Sequence, residues 1–267
     1  MKQLKLALIG KDVSKSLSPQ VHSFISERMG NNVDYTNISI SENEFEQRIE
    51  ELIEELDGFN ITIPYKLSVI PHLKIIEGDA KAFGSVNTVT TRNLCGSNTD
   101  GMGFSMMIEN NDIFVKGKKV LILGAGGSGR SVSKKLLDAG AKVSIYDINY
   151  EKASKLACEF NGITALKILE IESYYLIVNA TGVGMHGSEG QSPVGENLIS
   201  VCEVAVDLIY TPQKSRFLEL AEEYGKKILN GEGMLFYQAY FSECIYFGVK
   251  PDNLQAKQLF EEYQKEN

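Results

Sequence analysis

The sequence contains few of the side chains that bind transition metals. Its 267 residues include only four cysteines and three histidines. The cysteines stand far apart, at Cys95, Cys158, Cys202 and Cys244, so they form no C-x-x-C pair, and no His or Cys group has the spacing of a metal site. We therefore expect no metal centre. Scattered thiols of this kind are typical of reduced, partly buried residues in a cytoplasmic protein.

Long apolar runs and an excess of positive charge are also missing. No apolar run approaches the ~20 residues that span a membrane. The first residues lead directly into a strand-like segment, residues 4–9, without the pattern of a signal peptide. The formal net charge of −8 argues against nucleic acid or an anionic membrane as the main partner. We expect a cytoplasmic monomer or homodimer whose partner is a small molecule.

The most informative feature that is present is a glycine-rich segment. Four apolar residues, 120–123, lead directly into Gly124-Ala125-Gly126-Gly127-Ser128-Gly129. The pattern G-x-G-x-x-G between a strand and a helix is typical of dinucleotide binding. Gly124 would allow the tight turn, Gly126 the close approach of a pyrophosphate, and Gly129 the close packing of the helix on the strand. The free N–H groups at the helix N-terminus would then face the phosphates.

The residues after this segment distinguish a cofactor site from a glycine turn that binds nothing. An apolar helix stripe and a helix stop follow it, and a second strand is predicted over residues 141–146. That strand ends at Asp147, close to the ~20-residue distance from Gly124 at which an acid meets the adenosine ribose. Strand, helix, second strand and acid together favour a dinucleotide site.

The predicted elements fall into two α/β regions. Residues 1–100 alternate strands and helices, and residues 101–115 form a connecting helix. Residues 119–230 follow a βαβ pattern. Two late helices, over residues 234–247 and 253–265, have no strand partners of their own, so we expect them to fold back onto the first region.

The sequence therefore predicts an α/β fold with two domains. The first is an N-terminal α/β substrate-binding domain, residues 1–100, which is completed by the C-terminal helices of residues 235–267. The second is a Rossmann-type, doubly wound nucleotide domain that is inserted over residues 101–234.

Polar side chains cluster at the predicted ends of the first and third strands, where open α/β sheets bind ligands. Ser14, Ser16 and Ser18 follow the first strand and precede a helix. Hydroxyls there can hold a carboxylate with help from the helix dipole, although Ser18 could instead be an ordinary N-cap. Lys66 follows Thr62 after the third strand. It is either a lysine in an apolar cleft, whose proton moves readily, or a solvated surface lysine.

Three further polar residues are candidates for ligand contacts. Asn87 offers both a donor and an acceptor, which suits a polyhydroxy ligand. Asp100 precedes a helix, so its alternative role is that of an N-cap. Gln238 lies among the aromatic residues of the late helix, where a buried amide needs partners, and it is either a structural hydrogen-bonding group or a ligand contact.

Together these clusters resemble the shikimate dehydrogenase family over essentially the whole chain. The motifs that carry the resemblance are Ser16-Leu17-Ser18-Pro19 with His22, Asn60-Ile61-Thr62-Ile63-Pro64-Tyr65-Lys66, Gly84-Ser85-Val86-Asn87-Thr88, Asn98-Thr99-Asp100-Gly101, the glycine segment, Asn179-Ala180-Thr181-Gly182, Asp207-Leu208-Ile209-Tyr210-Thr211-Pro212, and Gly231-Glu232-Gly233-Met234-Leu235 with Gln238. The resemblance implies an oxidoreductase that transfers a hydride reversibly between 3-dehydroshikimate and shikimate with NAD(P), in chorismate and aromatic amino acid biosynthesis.

The resemblance also implies a role for each site residue. Lys66 and Asp100 would be catalytic, flanking the carbon that changes oxidation state. The substrate carboxylate would be held by Ser16, Ser18 and Tyr210, and the substrate hydroxyls by Thr62, Asn87 and Gln238. The cofactor-binding positions would be Gly124, Ala125, Gly126, Gly127, Ser128, Gly129, Asp147, Ile148, Lys152, Thr181, Leu208 and Gly231.

The chain departs from the family pattern where the adenosine end of the cofactor binds. Many members carry Asn-Arg-Thr after the second strand of the nucleotide domain, and that arginine pairs with the 2′-phosphate of NADP. Here the stretch is Asp147-Ile148-Asn149, so an acid stands beside an isoleucine. Asp147 would accept hydrogen bonds from ribose hydroxyls and repel a phosphate, whereas Lys152 could partly offset that repulsion. The sequence favours NAD, and NADP remains the alternative.

Two other functions compete with this interpretation. One is quinate dehydrogenation, because quinate differs little from shikimate around the carboxylate; the two hydroxyls of Ser16 and Ser18 favour shikimate. The other is a nucleotide-binding sensor without turnover on the same fold. The presence of both Lys66 and Asp100 argues against a sensor, which would not need an acid–base pair.

Overall fold

The computed structural model describes residues 3–267. Packing contacts divide the chain into two compact units. Unit 1 consists of Met1–Met106 with Phe236–Asn267, and unit 2 consists of Met107–Leu235. The chain changes unit inside two helices, α4 (Asp100–Glu109) and α9 (Glu232–Phe247). A boundary inside a helix leaves no linker composition in the sequence, which is why the domain limits predicted above differ from these by a few residues.

Unit 1 contains a mixed six-stranded sheet. Its strands, in spatial order, are β2 (Val33–Ser39), β1 (Leu4–Gly10), β3 (Gly58–Ile61), β5 (Thr88–Thr90), β6 (Cys95–Ser97) and β4 (Ile75–Ile76). β1 runs parallel to both of its neighbours, and the β3–β5 and β5–β6 pairs are antiparallel. Besides α4 and most of α9, the helices are α1 (Ser18–Arg28), α2 (Phe45–Glu55), a 3₁₀ turn (Ile70–His72), α3 (Gly78–Phe83) and α10 (Asn253–Glu266).

The main core of unit 1 forms because α2 is amphipathic. Phe45, Ile49 and Leu52 recur at helical spacing, and all three are buried. They pack in one cluster with buried residues of the central strands, including Ile9 and Phe59. Burial of this apolar face supplies the driving force that fixes α2 on the sheet.

Unit 2 is an all-parallel six-stranded sheet. Its strands, in spatial order, are β12 (Lys227–Leu229), β11 (Cys202–Asp207), β10 (Tyr174–Asn179), β7 (Lys119–Leu123), β8 (Lys142–Tyr146) and β9 (Thr164–Leu166). Its complete helices are α5 (Gly127–Asp138), α6 (Tyr150–Glu159), α7 (Glu196–Ile199) and α8 (Arg216–Glu223). The order reverses at β7, between β10 and β8, which makes the carboxyl end of β7 the switch point where such sheets bind ligands.

The predicted α/β fold class is confirmed, and the errors lie in short elements. The sequence did not predict β4, β6 or α7, which have only two to four residues each. Such elements are too short to show a periodicity. The connecting helix predicted over residues 101–115 ends earlier, at Glu109, because Asp112 adopts a positive φ of 54°.

Within residues 3–267, no helix is long and apolar enough to cross a membrane. In the same described part of the chain, no group of three or more His, Cys, Asp or Glu side chains is arranged to hold a metal ion. The four cysteines are free thiols, and burial raises the pKa of Cys202 to about 11, which keeps that thiol protonated.

Candidate active site

Lys66 and Asp100 form a buried ion pair in unit 1. The Lys66 Nζ donates to Asp100 Oδ2 at 2.5 Å, and the two side chains are 8% and 7% exposed. Lys66 follows β3 by one turn, and Asp100 is the first residue of α4. The alternative of a solvated surface lysine is therefore wrong. Removing either partner would leave a buried charge without its counter-ion, so each of the two side chains stabilises the other in this position.

The Asp100 carboxylate is fixed from its other side by Asn87. Asn87 Nδ2 donates to Asp100 Oδ1 at 2.8 Å and lies 2.9 Å from Thr99 Oγ1. The Asp100 N–H is bonded at 3.1 Å to the side chain of Asn98. Both carboxylate oxygens thus face other side chains, Lys66 and Asn87, rather than the free N–H groups of α4. Asp100 is the first residue of α4 and its carboxylate does not cap the helix, so the N-cap alternative for Asp100 is wrong.

Gln238 reaches the same cluster from α9. Its Oε1 lies 3.3 Å from Asn87 Nδ2 and 3.4 Å from Thr99 Oγ1. Gln238 is partly exposed, whereas its neighbours Tyr237 and Ala239 are buried. The structure therefore brings together four of the predicted site residues, Lys66, Asp100, Asn87 and Gln238, from four separate parts of unit 1.

Ser16, Ser18 and Thr62 lie at the carboxyl ends of neighbouring parallel strands, β1 and β3. The Ser16 and Ser18 hydroxyls are 3.0 Å apart. α1 begins at Ser18 with Leu17 at the N-cap position and no side-chain cap, so the N-cap alternative for Ser18 is wrong. A Cβ on Gly10 would come within 2.6 Å of the Thr62 methyl group, so this glycine permits the close approach of the two strand ends.

The glycine segment in unit 2 has the geometry that a bound pyrophosphate needs. Gly124 has a φ of +101°, which favours glycine, and α5 begins at Gly127 with its first N–H groups unbonded within the helix. A Cβ on Gly129 would lie 2.0 Å from the backbone oxygen of Gly124. A Cβ on Gly126 would meet nothing within 4 Å, so the space in front of it is open. The segment fits a dinucleotide cofactor.

The two glycines give a prediction that separates folding from cofactor binding. Gly129→Ala is expected to lower the free energy of unfolding by about 1–3 kcal/mol or more, because its methyl group overlaps backbone. Gly126→Ala is expected to unfold like the unmodified protein but to raise the KM for the cofactor, because its methyl group enters the space where the phosphates approach. Thermal unfolding without cofactor and steady-state kinetics check the pair. A normally stable Gly129→Ala would contradict the packing argument.

Asp147 does more than the sequence indicated. Its Oδ2 accepts from the Ala125 N–H at 2.8 Å, and its Oδ1 accepts from the Asn149 N–H at 2.8 Å. The carboxylate therefore ties the glycine segment to the loop after β8. The next residue, Ile148, is 96% exposed. Lys152 is also exposed, in the first turn of α6.

A buried polar group that the sequence argument did not single out fixes the neighbouring loops of unit 2. Asp207, at the end of β11, accepts from Asn179 at 3.0 Å, from the Ile209 N–H at 3.0 Å and from Ser215 at 2.5 Å. Burial raises the pKa of Asp207 above its usual value, and the hydrogen bonds offset part of that rise. Asn179 in turn accepts from Thr181 at 2.7 Å. Both residues stood in the family motifs, which was the only signal of their role.

The remaining predicted positions lie around the same strand ends. A Cβ on Gly231 would come within 2.1 Å of the Leu208 backbone oxygen, so this glycine allows the two chain segments to touch. Tyr210 follows β11 and is partly exposed. It belongs to unit 2, whereas Ser16 and Ser18 belong to unit 1, and their shared role at a carboxylate stays a prediction.

Comparison with known families gives two matches. Residues 8–89 match the shikimate dehydrogenase substrate binding domain, and residues 109–193 match the shikimate/quinate 5-dehydrogenase family. The shikimate dehydrogenase (NADP(+)) of Carboxydothermus hydrogenoformans is 36% identical over 256 residues, which cover 91% of each chain.

Solved structures agree with these matches. The shikimate 5-dehydrogenase of Thermus thermophilus in complex with NADP(H) and shikimate superposes with a TM-score of 0.86 at 34% identity, covering 96% of this chain and 98% of that one. The enzyme of Listeria monocytogenes in complex with shikimate and NAD gives a TM-score of 0.81 at 27% identity, covering 97% and 96%. The resemblance inferred from the motifs is thereby confirmed. The chain belongs to the shikimate dehydrogenase family, the NAD(P)-dependent oxidoreductases that interconvert 3-dehydroshikimate and shikimate.

Proposed function

We propose that Lys66 and Asp100 carry the proton transfer of shikimate oxidation and 3-dehydroshikimate reduction in this chain. The observation that carries the proposal is their buried contact, 2.5 Å from Lys66 Nζ to Asp100 Oδ2. In a buried setting an ammonium group interacts strongly with charge that develops nearby. The adjacent carboxylate balances that ammonium and fixes the direction in which it points.

The chemistry assigns each of the two groups a step. Bound NAD(P) supplies or accepts the hydride. When the ketone is reduced, the Lys66 ammonium stabilises the developing alkoxide and delivers a proton to its oxygen. When shikimate is oxidised, Lys66 takes that proton back from the hydroxyl. Asp100 holds Lys66 in place through both directions and shares the proton relay.

The substrate would be positioned by neutral donors around this pair. The Ser16 and Ser18 hydroxyls at the start of α1 suit a carboxylate, because neutral donors and the positive end of the helix dipole stabilise negative charge. Thr62, Asn87 and Gln238 are assigned to the substrate hydroxyls. The contact of Asn87 with Asp100, and of Gln238 with Asn87, supports this assignment for these two residues. Fixing the carboxylate away from the reacting carbon orients that carbon for transfer.

Steady-state kinetics with shikimate and quinate test the substrate. We expect kcat/KM for shikimate to exceed that for quinate by about tenfold or more, a difference of about 1.4 kcal/mol in transition-state binding. The two hydroxyls of Ser16 and Ser18 are the feature that favours shikimate over quinate, whose ring carries an additional hydroxyl. Formation of NAD(P)H, followed by absorbance, is the readout. Equal or greater efficiency with quinate would replace shikimate by quinate as the substrate, and cofactor binding without any turnover would support the sensor instead.

We also propose that the chain prefers NAD to NADP. The charges beside the adenosine ribose support this choice, because Asp147 is held in place by two backbone N–H groups and Ile148 offers no cation to a 2′-phosphate. A fixed carboxylate close to a phosphate is unfavourable, whereas ribose hydroxyls can donate to it. Lys152 lies in the first turn of the following helix, and its side chain is exposed. An exposed lysine is screened by solvent and compensates only part of the repulsion.

A further inference from the structure

A cluster of buried hydroxyls lies behind the catalytic pair in unit 1. Thr88, Thr99 and Ser242 are all fully buried, and they come from β5, from the residue before α4 and from α9. Ser242 Oγ is 2.9 Å from Thr88 Oγ1 and 3.1 Å from Thr99 Oγ1. Hydroxyls in such a setting need partners, and here they partner one another. Neither the family motifs nor the predicted site residues include Ser242.

The amide of Asn60 is held in one orientation beside this cluster. Its Oδ1 accepts from the Tyr35 hydroxyl at 2.9 Å and from the Tyr246 hydroxyl at 3.0 Å. Burial raises the pKa of both phenols well above the usual value, so both stay protonated and act as donors. The Nδ2 of Asn60 must therefore face the other way, where it lies 3.1 Å from the Asn87 carbonyl and 3.0 Å from Ser242 Oγ.

The single hydroxyl hydrogen of Ser242 determines the direction of the neighbouring hydrogen bonds. Ser242 has a single hydroxyl hydrogen, which it donates to the Gln238 carbonyl at 2.9 Å. Its oxygen is then left as the acceptor for Asn60 and for the Thr99 hydroxyl. With its own hydrogen given to Ser242, the Thr99 oxygen accepts from Asn87 Nδ2 at 2.9 Å.

The far end of this chain of hydrogen bonds is the carboxylate of the catalytic pair. The Thr99 N–H donates to Asn87 Oδ1 at 2.8 Å, and the Thr88 hydroxyl lies 2.9 Å from both that oxygen and Ser242 Oγ, with one hydrogen for the two acceptors. The Asn87 amide is thus fixed with its oxygen toward the two threonines. Its second Nδ2 hydrogen then points at Asp100 Oδ1, 2.8 Å away.

We propose that Ser242 is a positioning residue that acts through Thr99 and Asn87 to orient Asp100, and through it Lys66. The inference rests on the proposed function of the Lys66–Asp100 pair. Ser242→Ala deletes the acceptor, so that the Thr99 hydroxyl is free to turn toward Asn87 Oδ1 at 3.3 Å or Gln238 Oε1 at 3.4 Å. The Thr99 oxygen then no longer presents the same lone pair to Asn87 Nδ2, so the amide loses one of the contacts that hold it against Asp100 Oδ1.

Kinetics of Ser242→Ala in a double-mutant cycle with Asp100→Ala test the proposal. Loss of one hydrogen bond in the chain is expected to lower kcat for shikimate roughly three- to tenfold, with KM nearly unchanged. In the Asp100→Ala background the same change should have no further effect on kcat, because Ser242 acts through Asp100.

Ser242→Thr keeps the hydroxyl and is expected to restore most of the activity. Ser133→Ala, which removes a buried hydroxyl that makes no hydrogen bond, is the matched control and should leave kcat unchanged.

The outcomes separate the positioning role from the function itself. If Ser242→Ala does not fold, Thr99→Val removes the same hydrogen bond from its other end and is expected to give the same fall in kcat. Two results would overturn the positioning role. One is a fall in kcat on Ser242→Ala that is equally large in the Asp100→Ala background, and the other is an unchanged kcat in Ser242→Ala alone. An unmodified protein without shikimate turnover would instead overturn the proposed function.

Discussion

Lys66→Ala is expected to lower the turnover of shikimate by roughly 10²-fold or more while KM for shikimate changes little, which is the usual consequence of losing a positioned acid–base group. The Lys66 ammonium is buried and held against Asp100, in the position that the proposed proton transfer requires. The measurement is kcat and KM from initial rates of NAD(P)H formation. Circular dichroism in parallel checks that the fold is kept after the Asp100 carboxylate loses its counter-ion.

Two further variants sharpen that result. Lys81→Ala, which removes an exposed lysine from α3 of the same unit, is the matched control and should leave turnover unchanged. Asp100→Ala is also expected to lower kcat, and the double variant with Lys66→Ala should be only slightly worse than either single one, because residues that act as a unit are not additive. Near-normal turnover in a folded Lys66→Ala protein would remove Lys66 from the mechanism.

Asp147→Ser combined with Ile148→Arg is expected to shift the preference from NAD toward NADP by about tenfold or more in kcat/KM. The double change removes a carboxylate that would repel the 2′-phosphate and adds a guanidinium that pairs with it. Serine retains one side-chain oxygen that can accept from the Ala125 or Asn149 N–H, so the loop loses less of its support than it would with alanine.

Two single variants separate the effect of charge from that of side-chain size at this site. Ile148→Ala alone removes exposed apolar surface and no charge, so the ratio of the two kcat/KM values should stay as in the unmodified protein. Lys152→Ala should increase the preference for NAD, because it removes a positive charge from the first turn of α6. A tenfold preference of the unmodified chain for NADP would show that the repulsion from Asp147 is outweighed.

The sequence was a good guide where local physics alone determines the structure. The strand, glycine turn and helix around Gly124 are encoded in consecutive residues, and the acid at Asp147 falls at a fixed distance along the chain. α2 was equally predictable, because Phe45, Ile49 and Leu52 recur at the spacing that forms one apolar face of a helix.

The sequence could not supply interactions between residues that are distant along the chain. Lys66 and Asp100 are each compatible with a surface role when they are considered alone, and only the folded sheet brings their charged groups together. The orientation of Asn60 depends on two tyrosines from β2 and α9, and nothing in the local sequence signals it. The second role of Asp147, as a bridge to Ala125, is hidden for the same reason.

A crystal structure of the chain with shikimate bound would show directly how the Lys66–Asp100 pair meets the substrate. We expect the substrate carboxylate on the Ser16 and Ser18 hydroxyls and one ring hydroxyl within hydrogen-bonding distance of both Lys66 Nζ and the Asp100 carboxylate. That hydroxyl must be the one that becomes the ketone of 3-dehydroshikimate. Shikimate bound with its carboxylate against Lys66, or with the reacting hydroxyl away from both groups, would contradict the account.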